Sequence, residues 1–375
     1  MKLIMESWRE FLKEEEEGKT PKVIFMSGAP GVGKGYVRQE LGLDTDPTFQ
    51  HEEKDEETGE IKVVSHVVDP DQFYVPMLKQ QLPPLGVPEG EAANVEQLMT
   101  QYNEARKKLK ELLGTTLNLN EPDVSWSSDV LEEMYEQAHN DSQSDPVLER
   151  ELETTKQEYD DARNICVVQG KCFSAGQKEA KNLQQQLFEQ NMSMIIDGTA
   201  GYYARIINQK EVFERAGYDV AMIFVDAPLE TALGAQKERE RKLNPFDVEK
   251  SMKTLLGGTY FDRRAGEEVS KPNIMKPFVD RFGRKQPGYE QEFGDNYFYV
   301  INDRTNTDES IAQMKPQLDR FLNQMSESFQ SELKPRLHKQ MRRLLRHGGN
   351  KDSGPFDDEA PIDYRGSAPP GAPGG

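Results

Sequence analysis

Val23-Ile24-Phe25-Met26-Ser27-Gly28-Ala29-Pro30-Gly31-Val32-Gly33-Lys34-Gly35 is the stretch on which the fold turns. Four consecutive apolar residues, bounded by Thr20-Pro21 before and a glycine-rich turn after, predict a short buried strand. From Gly28 the chain fits Gly-x-x-x-x-Gly-Lys, with Gly35 where Ser or Thr is usual, and it runs on into a helix. Glycines suit such a loop because successive backbone N–H groups must turn inward to surround phosphate oxygens, and the start of the following helix adds a favourable dipole. Lys34 would reach the outer phosphates. Gly35 brings no hydroxyl, so a magnesium ion here would take water or another side chain.

Further along, short apolar runs alternate with helical patterns. Val63-Val64 and Val67-Val68 predict a second strand ending at Asp69-Pro70-Asp71, after a solvated loop over 51–60 that holds six acids and one lysine. A helix near 174–190 leads to a buried strand, Met192-Ser193-Met194-Ile195-Ile196-Asp197-Gly198-Thr199. A helix over 203–216 ends at Gly217, a suitable C′ residue, and the strand Val220 to Asp226 follows. Then come a helix over 228–243, an irregular stretch to about 293, a strand over 297–302 and a helix over 308–329. This order predicts an α/β fold, a parallel sheet flanked by helices on both faces. Ligands in such sheets sit at the carboxyl ends of the strands.

The segment 86–165 differs in composition. It holds 19 acids against 7 Lys/Arg in a chain of net charge −19, and reads as a mostly helical acidic insertion. The expected organisation is therefore an N-terminal amphipathic helix (1–20), a core (21–85 and 166–330), the insertion (86–165), a basic amphipathic helix (331–347) and a disordered Gly/Pro-rich tail (348–375). The basic helix carries Leu333, Leu337, Met341, Leu344 and Leu345 on one side. It would meet nucleic acid, an acidic lipid surface or the chain's own acidic insertion.

The 375 residues give room for two to three domains. The net charge argues against nucleic-acid binding by the whole surface. Mean hydropathy of −0.80 and the lack of a long apolar run argue against a membrane span. Glu6 interrupts any apolar signal stretch, so a cytoplasmic protein is expected. Cys166 and Cys172 suggest neither a disulfide framework nor zinc, and five scattered histidines, His51, His66, His139, His338 and His347, show no metal-ligand spacing.

The string Gly28 to Gly35 resembles the adenylate-kinase style of phosphate loop in the P-loop NTPase superfamily, where Gly also follows Lys; Tyr36 departs from the Thr common next. Over a longer range, Val67-Val68-Asp69-Pro70-Asp71-Gln72-Phe73, Ile195-Ile196-Asp197-Gly198-Thr199, Ala216-Gly217-Tyr218-Asp219-Val220 and Phe224-Val225-Asp226-Ala227-Pro228 are similar in order and spacing to zeta-toxin-like P-loop kinases. The resemblance covers 21–42, 63–78, 172–243 and 293–322, about half of the chain. The end segments look like those of phage-encoded proteins, which would place the chain in the host cytoplasm. The resemblance implies an ATP-dependent kinase, with Mg2+, that transfers the γ-phosphoryl group to a hydroxyl of a small-molecule acceptor. A nucleotide kinase is the nearest alternative. A non-catalytic nucleotide-binding protein, assembling through the insertion or the basic helix, is the alternative from another class.

Residue by residue, Gly28, Ala29, Pro30, Gly31, Val32, Gly33, Lys34, Gly35 and Tyr36 would hold the nucleotide. In zeta-toxin-like kinases the Asp matching Asp71 orients and deprotonates the acceptor hydroxyl; the other reading is an Asx-turn residue. Asp197 could polarise a magnesium-bound water or hold substrate, with Thr199 facing the same cleft, or the pair could cap a helix. Gly201 stands where the toxin pattern often carries Arg, which leaves the toxins' nucleotide-sugar acceptor open. Phosphoryl transfer also needs cations. Residues 237–285 hold 13 Lys/Arg against 8 acids, with Arg239 and Arg241 expected to close over the transferring phosphate from a lid, and Arg263 and Arg264 behind them. Asn302 would border the adenine pocket or cap a loop.

Overall fold

The computed structural model describes residues 20–54, 60–88, 94–119, 127–143, 145–238, 243–262, 267–303, 305–324 and 341. The N-terminal helix, the Gly/Pro-rich tail and all of the basic helix except Met341 lie outside these residues, as do Arg239, Arg241, Arg263 and Arg264.

The chain begins with β1 (Lys22–Ser27), all six residues buried, and α1 (Lys34–Glu40). A hairpin follows, β2 (Gln50–Lys54) and β3 (Ile61–Ser65), then β4 (Val67–Val68) and α2 (Pro70–Gln81). Next come α3 (Val95–Thr116), α4 (Ser128–Ser142) and α5 (Pro146–Glu189). The alternation resumes with β5 (Met194–Gly198), α6 (Tyr203–Arg215), β6 (Asp219–Asp226) and α7 (Leu229–Glu238). After α8 (Pro245–Leu256) stand two hairpins, β7 (Gly257–Asp262) with β8 (Glu267–Asn273), and β9 (Phe278–Val279) with β10 (Lys285–Gln286). The described order closes with α9 (Gly288–Phe293), β11 (Tyr297–Ile301) and α10 (Thr307–Asn323).

The central sheet has five strands in the order β11-β6-β1-β5-β4, every pair parallel. Helices cover both faces. Phe25 meets Phe213 of α6 and Phe293 of α9 edge-on, at centroid distances of 6.2 and 6.1 Å. On the opposite face, the Lys22 ammonium lies 5.2 Å from the centre of the Phe321 ring of α10. Buried Lys22 also pairs with Asp219 and donates to the Gln324 carbonyl, so its charge is compensated at the foot of the sheet. Met341 is fully buried and belongs to this main core, not to the helical insertion.

Four expectations change. Residues 50–54 are a strand and not a loop, because Gln50 to Lys54 pair with Ser65 to Ile61 across a hairpin, which tolerates acids on its solvent face. The single strand expected over 63–68 is divided at His66: Ile61–Ser65 goes to that hairpin and Val67–Val68 to the sheet edge. The described residues of 245–293 form α8, the paired strands β7–β8 and β9–β10, and α9, rather than an irregular stretch. The helix expected to start near 174 starts at Pro146, capped by Asp145, and runs 44 residues without a break at 165/166. At 1.5 Å per residue it is about 66 Å long. Its first half joins α3 and α4 around Leu109, Leu113, Leu131, Leu152 and Tyr159, a core separate from the main one, and its second half packs on α2 through Cys172, Tyr74 and Leu78.

Gly176 is where α5 and α2 come closest: a Cβ there would sit 3.0 Å from the Tyr74 Cα and backbone nitrogen. Gly176→Val is expected to lower stability by about 1–3 kcal/mol through overpacking. Gly114→Ala, in open space on α3, should raise it by about 0.5–1 kcal/mol. Denaturant midpoints of the two variants should move in opposite directions.

Candidate phosphate-binding site

In the sheet order, connections from β1 lead to one side and those from β5 to the other, so the chain reverses its winding at the carboxyl end of β1. Crevices open at such switch points. The Gly28–Gly35 loop occupies this one. Gly31 has φ 86° and a Cβ on it would collide with the Ala232 carbonyl, so α7 can pack against the loop only if that residue is glycine. Asn302, the residue after β11, ties the loop down: its Nδ2 donates to the Val32 carbonyl at 2.6 Å while its Oδ1 accepts from Thr307 Oγ1 at 2.9 Å. Its own backbone N–H donates to the Asp226 carbonyl. Of the two expectations for Asn302, the structure places it as a clamp on the loop.

No side chain caps α1 at Gly33. At Gly35 a Cβ would meet nothing within 4 Å, so this glycine is not sterically required. Tyr36 is 46% exposed, and the charges of Glu40 and Asp308 raise its pKa. That places the ring on the α1 surface facing the start of α10.

The Lys34 ammonium folds back over the loop, donating to the Gly28 carbonyl at 2.9 Å and standing 3.7 Å from Asp197 Oδ1. The other Asp197 oxygen accepts from Arg38 at 3.2 Å, and Arg38 also pairs with Asp44. Asp197 leaves β5 beside Met26 of β1, which is what brings it to the loop. Two cations one helical turn apart on α1 therefore grip the two oxygens of one carboxylate. Arg38 was missed by the sequence reading; its i, i+4 spacing from Lys34 was the available signal.

Asp69 is a carboxylate near enough to this group to feel both Asp197 and Lys34. It is the first residue beyond β4, where it caps α2 by accepting from the Asp71 N–H at 2.9 Å. Burial, and then the neighbouring Asp197 carboxylate, push the Asp69 carboxyl up to about 6; Lys34 pulls the other way. Asp71 stands in the first turn of α2, close enough for its charge to act on Asp69. Thr199 follows β5 on the same edge of the sheet. The loop, Lys34, Asp69, Asp71, Asp197 and Thr199 thus converge at the carboxyl ends of β1, β4 and β5. Cys166 and Cys172 lie elsewhere, free and buried, and burial raises both thiols, Cys166 to about 12.

Chemically, the arrangement sets one ammonium over a glycine loop at a helix start, with two carboxylates close behind it. No family model, curated protein or solved structure matches the chain. Among the described residues no helix is long and apolar enough to cross a membrane.

An acid whose pKa is raised by folding stabilises the fold below its unfolded value and loses that contribution as pH rises through the folded value. For Asp69 this window runs from 3.8 to about 6. Asp69→Asn keeps a capping oxygen and removes the charge. At about pH 7.5 it should therefore be more stable than the parent chain by on the order of 1–3 kcal/mol, with the difference closing below about pH 4. Denaturant unfolding at the two pH values tests this; a pH-independent difference would contradict the placement of Asp69.

Proposed function

We propose that the chain is an ATP-dependent phosphotransferase of the zeta-toxin-like P-loop kind, which moves the γ-phosphoryl group of ATP to a hydroxyl of a small-molecule acceptor. The observation that carries this reading is the meeting of Lys34 with Asp69 and Asp197 beneath a clamped glycine loop at the switch point of a parallel sheet. A loop of this kind serves phosphate. Carboxylates close behind it serve a divalent cation and a hydroxyl nucleophile.

In this reading the loop amides and Lys34 hold the β- and γ-phosphates, Lys34 exchanging the Gly28 carbonyl for phosphate oxygen. Mg2+, when bound, supplies charge neutralisation along the phosphates. Asp197 and Asp69 fit it: Asp69 is raised by burial and then by the Asp197 charge, and a divalent cation between two such carboxylates relieves both. Asp71, in the first turn of α2, orients the acceptor hydroxyl, with Thr199 beside it. The hydroxyl oxygen bonds to the γ-phosphorus as the bond to the β–γ bridging oxygen breaks; the proton goes to Asp71 and ADP leaves with the electron pair. Arg239 and Arg241, following α7, close over the transferring group.

The test is label transfer from γ-labelled ATP with Mg2+ to mixed nucleotides, nucleotide sugars and other hydroxyl compounds. Asp71→Asn should lose about 100-fold or more in turnover and keep ATP binding. Lys34→Ala should weaken ATP by about 10- to 100-fold, the loss of a charge-assisted bond. Because Gly35 borders open space, Gly35→Ser should fold normally and strengthen magnesium-dependent ATP binding. ATP binding without any labelled acceptor would favour the non-catalytic reading, and unchanged affinity in Lys34→Ala would overturn both.

A further inference from the structure

The β9–β10 turn carries a largely exposed aromatic ring and several cations at one tip. Phe282 is 65% exposed and Val279 56%. The guanidinium carbons of Arg281 and Arg284 stand 4.4 and 5.0 Å from the centre of the Phe282 ring. Lys276 and Lys285 are also exposed. Among the described residues Lys276, Arg281 and Lys285 have no carboxylate partner, in a chain of net charge −19. Such a concentration of positive charge is not needed to hold the turn together.

Asp280 does that together with the β9–β10 pairing and the backbone bonds across the turn. Its Oδ1 accepts from the N–H groups of Phe282 and Arg284, both at 2.9 Å, and its Oδ2 accepts from Arg284 Nε at 2.7 Å and Gln286 Nε2 at 3.0 Å. Desolvation against the turn opposes ionisation of this carboxyl, and the hydrogen bonds from Arg284, Gln286 and Phe282 outweigh it, holding it at about 2. The tip is therefore formed in advance of any partner, which lowers the entropic cost of binding. Its root is equally fixed. Phe278 meets Tyr203 edge-on at 5.0 Å, Tyr203 lies against Tyr289 at 5.0 Å, and the Tyr289 hydroxyl donates to the Ala200 carbonyl at 2.8 Å, just past β5.

We propose that the Val279–Gln286 turn, with Lys276 beside it, is a docking site for single-stranded nucleic acid. Each unit of such a strand carries one flat π face and one phosphate, and the tip offers the complement of both: an exposed ring for stacking and cations around it for the backbone. Duplexes hide their base faces and so engage only the charges. An acidic protein would likewise satisfy the cations and leave the ring without a matching group. Repulsion from the acidic remainder of the chain is screened beyond about 8 Å at physiological salt. The site is independent of the nucleotide-binding reading.

Fluorescence anisotropy of a labelled single-stranded oligonucleotide of about a dozen nucleotides, with the full chain at low salt, tests this. Phe282→Ala should weaken binding between about fivefold and a hundredfold, the measured range for loss of one stacked base. Because the ring is exposed, its melting temperature should not move. Arg281→Ala should reduce the slope of log affinity against log salt by about 0.7. The corresponding duplex should bind more weakly and respond to Arg281→Ala but not to Phe282→Ala. No binding by the parent chain, or full binding by the double variant Arg281→Ala/Phe282→Ala, would overturn the proposal. Equal sensitivity of a poly-glutamate competitor to Phe282→Ala would overturn it in favour of an acidic protein partner.

Discussion

Lys22–Ser27 exchanges backbone hydrogen bonds with Met194–Gly198 on one side and Asp219–Asp226 on the other. This double parallel pairing is the constraint from which the site follows. It requires a strand buried on both faces, hence the unbroken Val23-Ile24-Phe25-Met26, and it requires compensation for the one charge drawn in with it, which Asp219, the Gln324 carbonyl and the Phe321 ring supply to Lys22. With the strand so placed, its carboxyl end can only open into the crevice between the two directions of winding. The glycine loop then needs little more than a clamp to be held there. Asn302 provides one from the far edge of the sheet, through a single side chain that bonds at once to the loop and to α10.

The electrostatics of the crevice follow from the same geometry. Met26 pairs with Asp197, so the acid that ends β5 comes within reach of the helix that follows the loop. Lys34 and Arg38, one turn apart on that helix, neutralise it from two directions. Asp69, arriving from the next strand, is raised first by burial and then by the Asp197 carboxylate, with Lys34 pulling the other way.

How much of this could be read in the sequence depended on the range of the interactions. β1 and β6 were legible because strands buried on both faces are continuously apolar, β5 and β11 because they are short apolar runs, and Gly217 marked the end of α6 because a C′ residue of positive φ suits glycine. The loop was legible for the same local reason. Gln50–Lys54 was not, since its acids are compatible with a strand only through the partner Ile61–Ser65. The small hairpins at 257–286 were hidden by the same dependence on pairing. The length of α5 was hidden because nothing in its sequence marks the passage from one core to another at Cys166 and Cys172. At the site, Lys34, Asp197 and Asn302 were named from their positions after strands or in the motif, whereas Arg38 and Asp69 owe their places to contacts between distant parts of the chain, 159 residues apart for Arg38 and Asp197.

Amide hydrogen exchange with and without ATP and Mg2+ tests most directly the claim that phosphate is held at the switch point. Slowed exchange should be concentrated in residues 28–37, with a second effect at the exit of β5 around 197–201, where Asp197 is relieved of Lys34. ATP that stabilises the chain while leaving exchange in 28–37 unchanged would place the nucleotide elsewhere and contradict the account.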